Sequence, residues 1–195
     1  MKLKQIYNQE PLIFTIDDYL SDLECKHIMT YMTCMGHGLV TSDHTFVKDN
    51  ARKCEVRWVS HDSSNVLNNI AKRIANTVYK AIGTAEDFQL VKYVKGGEFK
   101  SHFDGWHHND TAESNNNLER GQRIVTCICY LNDVNEGGET EFTNLNLKIK
   151  PKKGRVLVFY NVKKDTNMLH PLSEHCGCPV IDSKYIVNLW FRESK

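Results

Sequence analysis

"DFQLVKYVKGGEFKSHFD", residues 87–104, is where the hydrophobic period of this chain changes. Upstream, apolar residues recur every three or four positions; from here on they alternate or run in short blocks, the pattern of strands. The run breaks at Gly96-Gly97 and then delivers a histidine, one spacer and an aspartate, His102-Phe103-Asp104. Further segments of the same kind follow: "RIVTCICYLND" from 123, "TEFTNLNLKIKP" from 140, "GRVLVFYNV" from 154 and "SKYIVNLWFRE" from 183. Gly, Asn, Asp and Pro separate them, and several short strands at regular spacing predict a sandwich or barrel.

The first 86 residues read differently. Ser21 followed three residues later by Glu24 has capping-box spacing and predicts a helix over Asp22–Cys34. In "SSNVLNNIAKRIANTVYKAIG", Val66, Ile70, Ile74, Val78 and Ile82 recur every four, Ser63 or Ser64 can cap, and Gly83 can end the helix. Between the two, "HTFVKDNARKCEVRWVS" reads as a mobile loop followed by a strand. Helices first and strands after predict an α+β, mainly β domain in which N-terminal helices buttress one face of the sheet. One domain over 1–195 is expected, with support in 1–86 and the core in 87–195. The long polar break "GWHHNDTAESNNNLERG" directly follows Asp104 and reads as a flap near a site.

Composition excludes several classes. With 41% hydrophobic and 25% charged residues the chain is neither disordered nor collagen-like. A formal net charge of +1 carries no overall basic footprint for a phosphate backbone. The N-terminus lacks the apolar run of a signal peptide and no stretch approaches bilayer length, so a soluble, cytoplasmic protein is expected. Seven cysteines is an odd number, and Cys127 and Cys129 alternate within an apolar strand as small buried hydrophobes. Cys176-Gly177-Cys178 is spaced more tightly than a usual zinc pair and has no second Cys pair, so it reads as packing.

Residues i and i+2 of a strand face the same way, so His102 and Asp104 can converge on one ion. The tripeptide alone is weak evidence, since His108-Asn109-Asp110 repeats it within a run of Asn, Glu and Ser that reads as solvated loop. Two ligands hold a divalent ion poorly, whereas two histidines and a carboxylate form the facial triad of non-haem Fe(II) oxygenases. The third ligand must come from a distant strand, and the C-terminal region offers His170 and His175.

Several residues then stand in a particular order: Tyr93 nine before His102, "RIVTCICYLNDVNEGGETEF", "KPKKGRVLVFYN", "HCGCPV", a lysine and an aromatic strand end. In this order the chain resembles the 2-oxoglutarate and Fe(II)-dependent dioxygenases, most closely the prolyl 4-hydroxylases, from about Leu90 to Glu193. The resemblance implies a double-stranded β-helix, or jelly-roll, core. It selects His175, directly before x-x-Cys-Pro-Val, as the distal metal ligand beside His102 and Asp104. It assigns Lys184 to the remote carboxylate of 2-oxoglutarate, one position off the usual spacing, and the hydroxyls of Tyr93 and Thr140 to the same co-substrate. Trp190 and Arg123 resemble substrate-facing residues, whereas Phe99 stands where peptide-binding relatives often carry a tyrosine.

The implied activity is hydroxylation of prolyl residues in a peptide or protein with release of succinate and CO2, using Fe(II), 2-oxoglutarate and O2, with ascorbate as reductant. One alternative keeps this chemistry on a free amino acid, another side chain or nucleic acid; Lys184 in place of arginines and the near-neutral charge oppose nucleic acid. The other is a metal-binding barrel module without catalysis. Trp190 also fits simple core, and Arg123 a structural charge.

Overall fold

The computed structural model describes residues 2–33, 44–48, 53–108 and 112–193. In chain order its strands and helices are β1 (Lys2–Tyr7), β2 (Ile13–Asp17), α1 (Asp22–Thr33), β3 (His44–Lys48), β4 (Lys53–Val59), α2 (Asn65–Thr77), β5 (Phe88–Tyr93), β6 (Phe99–His102), α3 (Ala112–Glu119), β7 (Arg123–Tyr130), β8 (Thr140–Phe142), β9 (Leu147–Ile149), β10 (Val156–Tyr160), β11 (His175–Gly177) and β12 (Lys184–Arg192).

The strands form two antiparallel sheets. One has the order β1-β2-β10-β7-β12-β5-β4-β3, the other β6-β11-β8-β9. Period-2 alternation divides the large sheet's side chains between two cores. Phe88, Leu90, Val125, Cys127, Cys129, Val156, Val158, Val187, Leu189 and Phe191 face the helices, where they meet Ile28 of α1 and Leu67, Ile70 and Ile74 of α2. The alternate residues, among them Val91, Tyr93, Ile128, Tyr130, Leu157, Phe159 and Ile186, form the second core with Phe142 and Ile149 of the small sheet. With both faces covered, the strands read as apolar runs rather than strict alternation.

The helix starts follow their caps. Glu24 N–H donates to Ser21 Oγ (3.2 Å) while Ser21 N–H donates to Glu24 Oε2 (2.8 Å), the reciprocal capping box. Ser64 caps α2 by accepting from Leu67 N–H at 3.2 Å. The end of α2 differs from expectation: Gly83 does not stop it. Lys80 N–H reaches Ala75 O and Tyr79 N–H reaches Asn76 O, with Tyr79 in the left-handed region at φ 52°. That is a Schellman termination with tyrosine at the usual glycine position. Ile82 falls in a separate short 3-10 turn.

Other expectations change in detail. The segment read as a mobile loop contains strand β3, paired with β4, although 49–52 lie outside the described residues. Cys34, the expected end of α1, lies outside them too. "TEFTNLNLKIKP" is two strands, β8 and β9, joined by a 3-10 turn that closes on Asn146 in the left-handed region. The polar break after Asp104 holds the short helix α3, and Asn109 and Asp110 of the second His-x-Asp lie outside the described residues. Lys152 and Lys153, just before Gly154, reach Asp17 (3.0 Å) and Asp22 (2.8 Å). No helix among the described residues is long and apolar enough to cross a membrane.

Candidate active site

The small sheet carries the histidines. His175 opens β11 directly opposite His102, the last residue of β6, so strand pairing sets the two imidazoles side by side, with ring centroids 4.4 Å apart and planes tilted by 53°. Asp104 does not share the strand with His102; it lies in the bend that follows. The bend packs closely against Gln122 and Leu169: a Cβ on Gly105 would sit 2.5 Å from Gln122 Oε1 and 2.7 Å from Leu169 Cδ2. Asp104 Oδ1 then lies 3.6 Å from His102 Nε2 and Oδ2 lies 3.7 Å from His175 Nε2. One donor atom from each residue falls within 4.8 Å of the other two.

Backbone carbonyls fix both rings. His102 Nδ1 lies 2.8 Å from Lys100 O and His175 Nδ1 lies 2.9 Å from Ser173 O. A carbonyl can only accept, so each Nδ1 carries hydrogen, and Nε2 is the ring atom each histidine turns toward Asp104. Burial, then the neighbouring His102, pushes His175 down to about 4, which keeps its imidazole neutral near pH 7. Burial alone would raise Asp104, but the two histidines hold its carboxyl well below the usual range. A carboxylate with two preoriented imidazoles is the donor set that suits Fe(II). His170 stands outside this group: its Nδ1 accepts from Leu172 N–H and its Nε2 faces Glu10 at 4.0 Å.

A cavity of about 180 Å³ opens on this cluster. Tyr93, Thr140 and Lys184 line it together with His175, and Arg123, Asn188 and Trp190 also border it. Lys184 is 2% exposed, and its Nζ lies 5.2 Å from the Tyr93 ring centroid and 5.7 Å from that of Tyr130. No carboxylate within ion-pair range neutralises it among the described residues, and burial pulls it down to about 8. Gly138 makes room for it, since a Cβ there would meet Val180 Cγ1 at 2.7 Å and Lys184 Cδ at 3.3 Å. Thr140 Oγ1 and Tyr130 Oη share a hydrogen bond of 2.8 Å. Phe99 stacks on His102 at 3.6 Å between centroids.

Arg123 is held rigidly. Its Nε and Nη2 donate to the two oxygens of Glu86 at 2.6 and 2.7 Å, its Nη1 donates to Asp104 O, and its guanidinium lies 3.8 Å over the Trp190 ring. Glu86 also accepts from Arg192, and these two arginines keep its carboxyl below the usual value despite burial. Sequence reasoning singled out Arg123 and Trp190 but missed Glu86, which precedes the strand and carries no local signal. It also missed Gln122, whose carboxamide accepts from Trp106 N–H and donates to Trp106 O. Thr126 and Asn188 left a readable trace: both are polar residues on the inward-facing parity of otherwise apolar strands.

Two facing antiparallel sheets, with a largely enclosed two-histidine, one-carboxylate cluster and an ammonium that no carboxylate neutralises among the described residues on one cavity, define a non-haem metal-dependent oxygenase of the jelly-roll type. The comparisons carry this to a family. The sequence profile of the 2OG-Fe(II) oxygenase superfamily matches residues 88–192. A candidate prolyl 4-hydroxylase of Acanthamoeba polyphaga mimivirus is 34% identical over 184 residues, spanning 93% of this chain and 74% of that protein. Prolyl 4-hydroxylase 2 of Arabidopsis thaliana is 28% identical over 215 residues, spanning 97% and 69% respectively. The viral collagen prolyl hydroxylase of Paramecium Bursaria Chlorella virus-1, solved as a complex with 2-oxoglutarate, superposes with a TM-score of 0.74 at 29% identity, covering 93% of this chain and 96% of that one. The chain belongs to the 2OG-Fe(II) oxygenase superfamily. It is a dioxygenase whose cofactors are Fe(II), 2-oxoglutarate and O2.

Proposed function

We propose that this enzyme hydroxylates prolyl residues of a peptide or protein, with His102, Asp104 and His175 holding Fe(II) and with Lys184, Tyr93 and Thr140 receiving 2-oxoglutarate. The observation that carries the co-substrate assignment is Lys184: a buried ammonium with no carboxylate partner among the described residues, on the cavity that the donor cluster faces, calls for an anion. Bound iron supplies the activation of O2 coupled to oxidative decarboxylation of the 2-oxo acid. The protein's own contribution is position. Ser173 O and Lys100 O aim the two Nε2 lone pairs, and Thr126 and Asn161 orient the carboxylate between them.

For the acceptor, Arg123 is locked by Glu86 and stacked on Trp190, giving a cationic donor beside an aromatic wall. Trp190 and Asn188 line the cavity, and their buried Nε1 and Oδ1 atoms have no hydrogen-bond partner among the described residues, which leaves one donor and one acceptor for a peptide backbone. A prolyl ring lacks a hydrogen-bonding side chain and suits an aromatic wall, while its flanking peptide groups suit those atoms. The named prolyl 4-hydroxylase relatives favour the same acceptor.

The test begins anaerobically. The metal-free protein is titrated with Fe(II) and then 2-oxoglutarate, following the visible charge-transfer band of a chelated 2-oxo acid, beside His102→Ala, His175→Ala and Lys184→Ala. The band is expected in the intact protein, lost in both histidine variants and weakened in the lysine variant. Aerobic incubation with proline-rich peptides is then expected to add one oxygen atom at proline. A normal band with no product on any prolyl peptide would overturn the acceptor; no band with iron bound would overturn the site assignment.

A further inference from the structure

The two cysteines read as packing residues form part of a second donor cluster. Cys176 and Cys178 lie two residues apart at β11, and Glu141 on β8 is the direct cross-strand partner of Cys176. Directly opposed residues project to the same face, as do residues two apart, so both thiols and the carboxylate share one face of the small sheet. His175, one position from Cys176, and Thr140, one position from Glu141, project to the other face and into the active site. One donor atom from each of Glu141, Cys176 and Cys178 lies within 4.8 Å of the other two, and Cys178 Sγ is 3.3 Å from Glu141 Oε2. All three residues are half-buried, within reach of an ion from solvent.

We propose that Cys176, Cys178 and Glu141 form a thiophilic metal site, with Zn2+ the fitting ion, back to back with the catalytic cluster across a single sheet. Zinc–sulfur and zinc–oxygen bonds of about 2.3 and 2.0 Å in tetrahedral geometry need donor separations of roughly 3.5–3.9 Å. The observed cluster reaches these with small side-chain rotations. Two sulfurs and one oxygen leave a fourth position for water. Binding transfers the two thiol protons to solvent, and the divalent charge offsets the negative charge so created. Lys148 competes for the same carboxylate, its Nζ lying 3.2 Å from Glu141 Oε2, and its side chain is exposed enough to swing away. A bound ion ties β11 to β8 and so braces the strand that carries His175. The site is independent of the oxygenase reading.

The test uses Cd2+ as a spectroscopic probe for Zn2+, because cadmium bound to thiolate absorbs in the near ultraviolet. The folded full chain and a His102→Ala/His175→Ala variant, which lacks the inner cluster, are titrated with Cd2+, and Zn2+ is added as competitor. One equivalent of thiolate-bound cadmium, displaced by zinc, is expected in both. Cys176→Ser and Cys178→Ser are expected to lose the band, Glu141→Gln to weaken binding and Lys148→Ala to tighten it. Zinc is also expected to raise the thermal midpoint of the double histidine variant. Absence of the band in the intact chain, its survival in both serine variants, or an affinity indifferent to both Glu141→Gln and Lys148→Ala would overturn the proposal. The last two substitutions leave the cysteines and the core untouched, so the question stays decidable if a serine variant misfolds.

Discussion

Thr126 donates its hydroxyl hydrogen to Oδ2 of Asp104 at 2.7 Å, and the Thr126 oxygen in turn accepts from Asn161 Nδ2 at 2.9 Å. Both Thr126 and Asn161 are fully buried, so this two-step chain fixes the carboxylate from the core side while the histidines face it from the other. Thr126→Val keeps the shape and removes the donor. Groups that orient a ligand in this way typically contribute about 10- to 100-fold in metal affinity. That loss is expected in an anaerobic Fe(II) or Co(II) titration, with Thr126→Ser restoring most of it.

Lys184 makes co-substrate binding depend on pH. Its proton leaves the free protein at about 8, below the ordinary 10.5, because burial disfavours the ammonium. Affinity for 2-oxoglutarate is therefore expected to be level below pH 8 and to fall as pH rises through it, approaching tenfold per unit. Calorimetric titration across that range checks this. Lys184→Arg is expected to flatten the profile and Lys184→Met to weaken binding throughout. The sign for folding is opposite: the unfolded chain holds this proton more tightly, so stability rises with pH between about 8 and 10.5.

Glu86 neutralises two guanidiniums at once, the half-buried one of Arg123 and the buried one of Arg192. Removing one partner of a buried ion pair costs about 3–5 kcal/mol, because the remaining charge is left uncompensated. Glu86→Ala is expected to lower the unfolding free energy, read from urea titration, by up to that amount. Arg123→Lys should be milder in stability, yet raise KM for a peptide substrate, since a lysine cannot reproduce the forked contact or the stacking on Trp190.

Tyr79 closes α2 at φ 52° with a side chain that is 94% exposed. Glycine there relieves the left-handed strain and forfeits almost no packing. Tyr79→Gly is expected to stabilise the protein by about 0.5–1 kcal/mol in urea unfolding, whereas Tyr79→Val, branched at Cβ, is expected to destabilise it.

Phe159 packs edge-on to His175 at 4.7 Å and to Phe142 at 5.0 Å between centroids. Phe159→Ala is expected to cost about 3–5 kcal/mol and, by leaving His175 without a wall, to weaken metal binding as well. Calorimetric unfolding with and without Fe(II) separates the two effects.

Local patterning determined much of this protein. The capping box at Ser21, the four-residue stripe of α2, the change to short apolar runs at residue 87 and the ordered appearance of Tyr93, His102, Asp104, Thr140, His175 and Lys184 are all readable along the chain. Spacing, periodicity and cap chemistry act over a few residues, and sequence records them directly. Tertiary structure decided what depends on pairing between distant segments. Strand register set His175 opposite His102 and Glu141 opposite Cys176, and the bend after β6 brought Asp104 into the same cluster as the histidines. Glu86 reached Arg123 and Arg192, and Thr126 reached Asp104, across separations that no local pattern encodes. The helix cap at Tyr79 went unread for a related reason: tyrosine is a poor left-handed residue, and backbone hydrogen bonds at the end of α2 outweigh that preference.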